Sequence, residues 1–255
     1  MKKNFLSALI GLCLFSILLI SCSKESVIEQ KPISVFNKMS YLNTTNDSKK
    51  DTGIIVVNYM DSFRVSIPDT NTWHYVAVVF YADNRAQIYI DGVNKVNSHR
   101  DNVPYCYKKL FLGSSLYRSF NNFYKGYIDE LRISNITRSN SEIKSYYDKC
   151  VSGDYSQTLD KNSIGLWRFD ESGGNSFNND VLQTNKGLLN GNYSFEKGLS
   201  GNSIYFDGVS GMGNCNIDIP EYEITIEFWY KSSKSQGAII QPYGLYSTDI
   251  TFYSK

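Results

Sequence analysis

Residues 73–81 read Trp-His-Tyr-Val-Ala-Val-Val-Phe-Tyr, and this stretch decides the fold. Its apolar residues occupy both sets of alternating positions, which is typical of a central β-strand covered on both faces. A turn at residues 82–85 separates it from a second strand at residues 87–90, and Asp91-Gly92 marks the hairpin turn that follows. The stretch therefore predicts the centre of an antiparallel sheet.

Short runs of the same kind recur along the chain, which contains 20 Tyr and 14 Phe. Aromatic and β-branched runs separated by turn residues predict an all-β domain. We predict further strands at residues 33–36, 53–67, 110–113, 126–134, 164–169, 203–207, 216–219, 223–230, 238–240 and 250–253. One short helix is predicted over residues 139–147, because Ser139 can cap it with Glu142 three residues on. We expect the three tryptophans in the core: Trp73, Trp167 and Trp229.

The first residues form a targeting segment. Lys2 and Lys3 precede an apolar run at residues 5–20, and Ser21 and Cys22 follow it. This order predicts a lipoprotein signal peptide over residues 1–21 and a lipid on Cys22. The run is shorter than the roughly 20 apolar residues that a membrane-spanning helix needs.

A polar tether follows at residues 22–32. Its residues 23–25, Ser-Lys-Glu, resemble the signal that sends some Bacteroidetes-type bacterial lipoproteins to the outer face, with one acid where that signal usually has two. We therefore expect a protein of the outer membrane or cell surface. The lipid would be its contact with the membrane.

Charge, histidine and cysteine content exclude several classes of function. The 26 basic residues nearly balance the 25 acidic ones, and no basic stripe predicts a nucleic-acid partner. Only two histidines, His74 and His99, are present for catalytic or zinc chemistry, and His74 falls in a strand, which favours a structural role. Beyond Cys22, the cysteines allow at most one disulfide, whose partners the spacing does not choose, and they match no metal pattern. These cysteines are Cys106, Cys150 and Cys215.

Two ordered series of motifs resemble the laminin-G-like and concanavalin A-like lectin/glucanase family. Residues 71–79, 88–92, 110–113, 123–133 and 141–143 resemble the back half of that family's domain. Residues 166–171, 187–188, 206–208 and 224–229 resemble its front half. The resemblance implies a two-sheet antiparallel jelly-roll sandwich, but here the back half comes first.

The reversed order leaves three interpretations open. Residues 33–255 can form a single circularly permuted jelly-roll domain, in which 33–147 are the back half, 148–162 a linker and 163–255 the front half. Alternatively, 33–147 and 163–255 are two truncated tandem domains, or two molecules exchange halves. A half sandwich exposes an apolar face and unpaired strand edges, so these costs favour the permuted domain.

The resemblance also implies a structural Ca²⁺ ion near the family's paired terminal strands. Asp129 and Asp170 occupy the matching positions, and Asp207 is a third candidate. Calcium prefers carboxylate and backbone carbonyl ligands. Aspartates at turns also accept hydrogen bonds from backbone amides, so both roles stay open.

A lectin-like domain implies a ligand, and we expect carbohydrate or a glycoprotein. One predicted loop mixes aromatic, amide and basic side chains, as a sugar site does. Its candidate ligand residues are Tyr117, Arg118, Asn121, Asn122 and Tyr124.

We expect no enzymatic activity. Glucanases of this family carry a Glu-x-Asp-x-Glu-type strand, whose alternate acids point into one cleft. The nearest match is Glu223-Ile-Thr-Ile-Glu227, in which Thr225 replaces the aspartate. The alternatives are a glycoside hydrolase or its accessory subunit, and a structural or decayed domain without a ligand.

Overall fold

The structure is a computed structural model of the chain. It describes residues 53–59, 61–67, 69–99, 107–114, 123–155, 159–220, 223–232, 237–243 and 249–254, all of which fall in the unit Asn46–Lys255. The predicted signal peptide, the tether and the strand at residues 33–36 lie outside these ranges.

The described residues form sixteen strands and one helix. The strands before the helix are β1 (Gly53–Tyr59), β2 (Asp61–Ile67), β3 (His74–Phe80), β4 (Arg85–Ile90), β5 (Val93–His99), β6 (Tyr107–Leu112) and β7 (Lys125–Ser134). The helix is α1 (Asn140–Val151). The strands after it are β8 (Ser163–Trp167), β9 (Ser176–Phe177), β10 (Gly187–Asn190), β11 (Tyr193–Lys197), β12 (Asn202–Asp207), β13 (Met212–Ile219), β14 (Ile224–Lys231), β15 (Gly237–Tyr243) and β16 (Asp249–Ser254).

These strands build two antiparallel sheets, and the predicted two-sheet sandwich of jelly-roll type with one short helix is confirmed. The first sheet has the order β2-β1-β16-β15-β6-β13-β10-β9. The second sheet has the order β11-β12-β7-β14-β3-β4-β5, and β8 also pairs with β7. A parallel contact occurs at the isolated bridge between Phe123 and Ala238.

Strands from the stretch before helix α1 and strands from the stretch after it are interleaved in both sheets. In the second sheet β14 lies between β7 and β3, so Glu227 pairs with Ala77 on one side and with Arg132 on the other. In the first sheet β6 lies between β13 and β15, and Leu112 pairs with Gly213 and Ile240. Each stretch thus supplies the hydrogen-bonding partners that the other lacks.

One apolar core fills the space between the sheets, and both stretches contribute to it. Val78 from β3 and Ile128 from β7 pack in the same cluster as Trp167, Phe206 and Phe228 from later strands. All five are fully buried or nearly so. Burial of a large side chain contributes roughly 1.5–3 kcal/mol, so closing the sandwich is the main source of stability.

A second, smaller cluster lies under helix α1, on the outer face of the second sheet. Ile143, Tyr146 and Cys150 of the helix pack there with Tyr75 and Trp229 of the sheet. The predicted start of the helix is confirmed by a complete capping box between Ser139 and Glu142. The helix continues to Val151, beyond its predicted end at residue 147, because its last turns bury Cys150 against the sheet.

The predicted Asp91-Gly92 turn is also present between β4 and β5. Both residues have positive φ, 52° for Asp91 and 73° for Gly92. Two successive positive φ values are what a tight hairpin turn of this kind requires. A Cβ atom on Gly92 would come within 3.0 Å of Lys144 and Tyr147 in helix α1, so glycine also permits the helix to pack closely.

The cysteines that the structure describes are unpaired. Cys150 lies under helix α1 and Cys215 lies in the core between the sheets. Burial raises the pKa of both thiols, that of Cys215 to about 12. Both therefore pack as small apolar side chains, and Cys106 lies outside the described residues.

Candidate functional site

Most of the ligand residues predicted from the sequence lie outside the described residues, namely Tyr117, Arg118, Asn121 and Asn122. Tyr124 is described and fully buried. Its hydroxyl group donates towards the backbone oxygens of Lys231 at 3.2 Å and Tyr127 at 3.3 Å, and burial raises its pKa. Tyr124 therefore offers no exposed ring face to a sugar.

Two of the three predicted calcium residues contact the same loop, residues 198–202. Asp129 accepts a hydrogen bond from the Leu199 amide at 2.8 Å, and Asp170 accepts one from the Asn202 amide at 2.9 Å. Asp207 lies at the opposite end of β12, about 17 Å along the strand from Asn202. There it accepts hydrogen bonds from the backbone amides of its own turn, beginning with Val209 at 2.8 Å.

The described aspartates therefore do not converge on one ion. Within the described ranges no group of three or more His, Cys, Asp or Glu side chains is placed to share a metal. The second carboxylate oxygen of Asp129 is also occupied, by the Glu130 amide at 2.8 Å. Calcium binding stays a prediction, which would require these amide contacts to rearrange.

The Asp129 carboxyl group has unusual electrostatics. It is fully buried, and burial, together with the neighbouring charge of Glu130, raises its pKa to about 8 although the backbone amides of Leu199, Glu130 and Ser200 donate to it. Burial likewise raises the pKa of Glu130 to about 7, against the opposing effect of the Arg168 guanidinium 3.0 Å away. Arg168 also contacts Asp180 at 2.8 Å, so one arginine holds both acids.

In the strand that resembles a glucanase motif, the second acid, Glu227, has a structural role. Glu227 is fully buried and accepts hydrogen bonds from the hydroxyl of Tyr75 and the guanidinium of Arg132, the latter at 2.7 Å. Arg138 contributes a further contact at 3.1 Å. Glu223 is exposed, so the two acids do not face a common cleft.

His74 is held between two carboxylates. Its Nε2 atom lies 2.9 Å from Asp69, and its Nδ1 atom lies 2.9 Å from Asp91. Burial opposes the charged ring, but Asp91 and Asp69 raise the pKa of His74 above 6.5. The Thr72 hydroxyl also lies 3.0 Å from Nε2, but Asp69 already contacts that nitrogen. With a carboxylate at each ring nitrogen, neither nitrogen is free to act as a base. This geometry fits the structural role predicted for His74.

A row of side chains crosses the outer face of the second sheet beside helix α1. The strand register pairs Ser194 with Tyr205, Tyr205 with Tyr127, and Tyr127 with Lys231. Trp73 lies next to Lys231, immediately before β3. Because neighbouring strands are about 4.8 Å apart, these five residues span about 19 Å. We call them the aromatic row.

The aromatic row faces outward because the neighbouring positions of its strands point into the core. Ile128 and Ile204 are buried between the sheets, and side chains alternate along a strand. All five members of the row are only partly buried. The expectation of a core position is confirmed for Trp167 and Trp229, but it was wrong for Trp73, which lies at the edge of the cluster under helix α1.

The rings of the row pack side by side, and a lysine lies over two of them. The ring centroids of Tyr127 and Tyr205 are 4.8 Å apart, and those of Trp73 and Tyr127 are 6.0 Å apart. The Lys231 ammonium is 4.3 Å from the Tyr127 centroid and 5.3 Å from the Trp73 centroid. These cation–π contacts hold the ammonium in place.

Glu196 closes the other end of the row. Its carboxylate accepts hydrogen bonds from the Tyr127 hydroxyl at 2.8 Å and the Ser194 hydroxyl at 2.7 Å. Partial burial and this carboxylate raise the pKa of Tyr127 to about 12. The surface thus combines aromatic faces, hydroxyls, one cation and one anion.

Sequence reasoning missed this site because its members come from distant parts of the chain. A usable signal was present in two strands, where an aromatic residue stands between two inward-facing positions. Tyr127 lies between Gly126 and Ile128, and Tyr205 lies between Ile204 and Phe206. The alternation marks both tyrosines as outward-facing, but it does not show that they are neighbours.

Comparison with known proteins gives one family. Residues 42–144 match the sequence model of the concanavalin A-like lectin/glucanases superfamily, called Laminin_G_3. The match includes Trp73 and Tyr127 of the aromatic row and ends within helix α1. Searches of curated proteins and of solved structures found no match.

Within the described part of the chain, no helix combines the length and apolar character that crossing a bilayer requires.

Proposed function

We propose that this protein is a surface-anchored, lectin-like lipoprotein that binds carbohydrate or the glycan of a glycoprotein. The observation that carries the proposal is the aromatic row, with Glu196 at its end. The likeness of residues 42–144 to the concanavalin A-like lectin/glucanases superfamily gives the class of ligand. Fold likeness alone is a weak basis for function, so the chemistry of the surface must support it.

That chemistry suits a sugar. A pyranose ring presents apolar C–H groups on its faces and hydroxyl groups around its edge, so it needs a flat apolar surface bordered by polar groups. Tyr205 and Trp73 supply partly exposed rings. Glu196 accepts hydrogen bonds and Ser194 can donate or accept them, so both can engage sugar hydroxyls.

The proposal is for binding without hydrolysis. A retaining glycosidase needs two carboxyl groups about 5–5.5 Å apart at the sugar. Glu227 is buried and engaged by Arg132 and Arg138, so it is poorly placed to act as an acid or a nucleophile. This arrangement favours binding over the alternative of a glycoside hydrolase.

The anchor is part of the proposal. Lys2 and Lys3, the apolar run and Cys22 support a lipid at the start of the mature chain and a place in the outer membrane or at the cell surface. A tether of about ten residues would then separate the lipid from the sandwich, which lets the aromatic row reach glycans outside the bilayer.

We also interpret residues 33–255 as a single permuted domain. The interleaving of strands such as β14 between β7 and β3 supports this interpretation over two truncated tandem domains. It also argues against a decayed fragment, because strands from both stretches close one core.

A glycan array tests the binding proposal, using residues 23–255, which include every described residue. We expect binding to one or more oligosaccharides, and loss of at least tenfold in affinity in Tyr205→Ala. Tyr81→Ala is the matched control, because Tyr81 is also partly exposed on the second sheet with a cation, Arg85, 4.5 Å from its ring centroid. Absence of binding to every glycan, or equal loss in both variants, contradicts the proposal.

A further inference from the structure

Among the residues that the structure describes, neither charged side chain of the binding surface, Lys231 or Glu196, has a partner of opposite charge. No described carboxylate lies within ion-pair distance of the Lys231 ammonium, which is held by the rings of Tyr127 and Trp73. No described cation contacts Glu196, whose carboxylate accepts hydrogen bonds from two neutral hydroxyls. Other surface charges in the sandwich do form pairs, such as Lys108 with Asp218 at 2.7 Å and Arg85 with Asp83 at 2.7 Å.

We infer that the aromatic row selects acidic glycans, and that Lys231 receives the anionic group of a sugar. This inference rests on the proposed function and specifies its ligand class. A carboxylate or a sulfate group on the sugar supplies the missing counter-charge of Lys231. The neighbouring hydroxyls of the same glycan donate hydrogen bonds to Glu196. The anionic group of the sugar would be repelled by the Glu196 carboxylate, so it is placed at Lys231 instead.

The geometry supports this orientation. The ammonium lies over the Tyr127 ring, so it covers part of that ring. Tyr205, whose centroid is 4.8 Å from that of Tyr127, has no cation over it among the described residues. A sugar stacked on Tyr205 therefore has Lys231 on one side, beyond Tyr127, and the β11 residues Ser194 and Glu196 on the other.

The two rings also fix the position of the cation before a ligand arrives. A lysine side chain that is free in solvent loses conformational freedom when it forms an ion pair, which is why exposed pairs contribute so little. Contact with Tyr127 and Trp73 restricts Lys231 in advance, so less freedom is lost on binding. The pair with an anionic sugar therefore gains more than an ordinary surface pair.

The experiment compares matched oligosaccharides by calorimetry on residues 23–255. The probes are a galacturonate oligosaccharide, its methyl ester, which keeps the rings but removes the charge, and a sulfated galactan of similar length. We expect the wild type to bind an acidic probe about tenfold more tightly than the neutral ester. We expect Lys231→Met to remove this preference, so that the acidic probes bind no more than about twofold more tightly than the ester. The galacturonate and the sulfated galactan distinguish a carboxylate from a sulfate as the group recognised.

Lys109→Met is the control, because Lys109 is exposed on β6 in the other sheet and should not affect the preference. If the wild type binds the ester and both acidic probes equally, or if Lys109→Met has the same effect as Lys231→Met, the inference is wrong while the proposed lectin function stands. If no glycan binds at all, the proposed function itself fails.

Discussion

The Glu227 carboxylate and the Arg132 guanidinium form an ion pair of 2.7 Å in which both side chains are almost fully buried. The pair joins β14 to β7, that is, the later stretch of the chain to the earlier one. Arg138, just before helix α1, adds a third charge at 3.1 Å from Glu227. The network thus connects both stretches of the sheet to the segment that leads into the helix.

Neutralising this buried acid should destabilise the fold. In Glu227→Gln the Arg132 guanidinium stays buried without its counter-charge, whereas Arg138 keeps its ion pair with Asp160 at 2.8 Å. Removing one member of a buried pair costs about 3–5 kcal/mol. Urea denaturation measures the loss of free energy of unfolding. Glu223→Gln, an exposed acid on the same segment, should change it by less than about 0.5 kcal/mol. A Glu227→Gln protein as stable as the wild type would show that the ion pair contributes nothing.

The two stretches of the chain should fold only together. Residues 33–147 alone lack β14, which lies between β7 and β3, and residues 163–255 alone lack the strands that flank it. Each fragment would expose an apolar sheet face and unpaired strand edges. We expect neither fragment to melt cooperatively, while residues 23–255 give one transition in calorimetry. Cooperative melting of either fragment alone would support two tandem domains instead.

Stability should fall as the pH rises through the pKa of Asp129. Burial raises this pKa from 3.8 to about 8 in the folded state, so the folded protein binds the proton more tightly than the unfolded chain. The stabilisation that results from this tighter proton binding is complete below about pH 4. It is lost as the pH rises towards 8, at up to about 1.4 kcal/mol per pH unit. Thermal melting from pH 5 to pH 9 measures it.

Asp129→Asn provides the comparison for that pH series. The amide cannot ionise, so the slope between pH 5 and pH 9 should become smaller. At pH 5, where Asp129 is protonated, the variant should be less stable than the wild type, because its NH₂ group faces one of the backbone amides that donate to Asp129. An unchanged slope in Asp129→Asn would assign the pH dependence to other groups.

Calcium binding, predicted from the sequence, can be tested through the same carboxyl group. An ion requires ionised Asp129, so Ca²⁺ should raise the melting temperature more at pH 9 than at pH 6, and a chelator should reverse the effect. Asp170→Asn should weaken the response and Asp207→Asn should not, because only Asp170 shares a loop with Asp129. A melting temperature that ignores Ca²⁺ at both pH values would contradict the prediction.

Lipid attachment should depend on one side chain. Cys22→Ala removes the thiol that receives the lipid, so we expect loss of labelled palmitate and loss of the protein from the membrane fraction of cells. Cys13→Ala, within the apolar run, is the control and should keep both. Palmitate labelling that persists in Cys22→Ala would refute the predicted anchor.

Local patterns in the sequence predicted many elements of this fold, but no predicted strand covers β5, β9, β10 or β11. The continuous apolar run in residues 73–81 predicted β3, the Asp91-Gly92 pair predicted the turn after β4, and Ser139 with Glu142 predicted the start of helix α1. In each case the signal and its physical cause lie within a few residues of one another. The resemblance of two stretches of the chain to the concanavalin A-like lectin/glucanase family then predicted that these elements form a two-sheet sandwich.

Only the tertiary structure decided which strands are neighbours, and with that the candidate site. Trp73, Tyr127, Tyr205 and Lys231 form one surface because β14 and β12 flank β7, and no local pattern specifies that pairing. The same pairing buried Glu227 and left Trp73 partly exposed, although Trp73 was expected in the core. The physical reason is that a strand's hydrogen-bonding groups accept any partner of compatible register, so the choice depends on how the whole core packs.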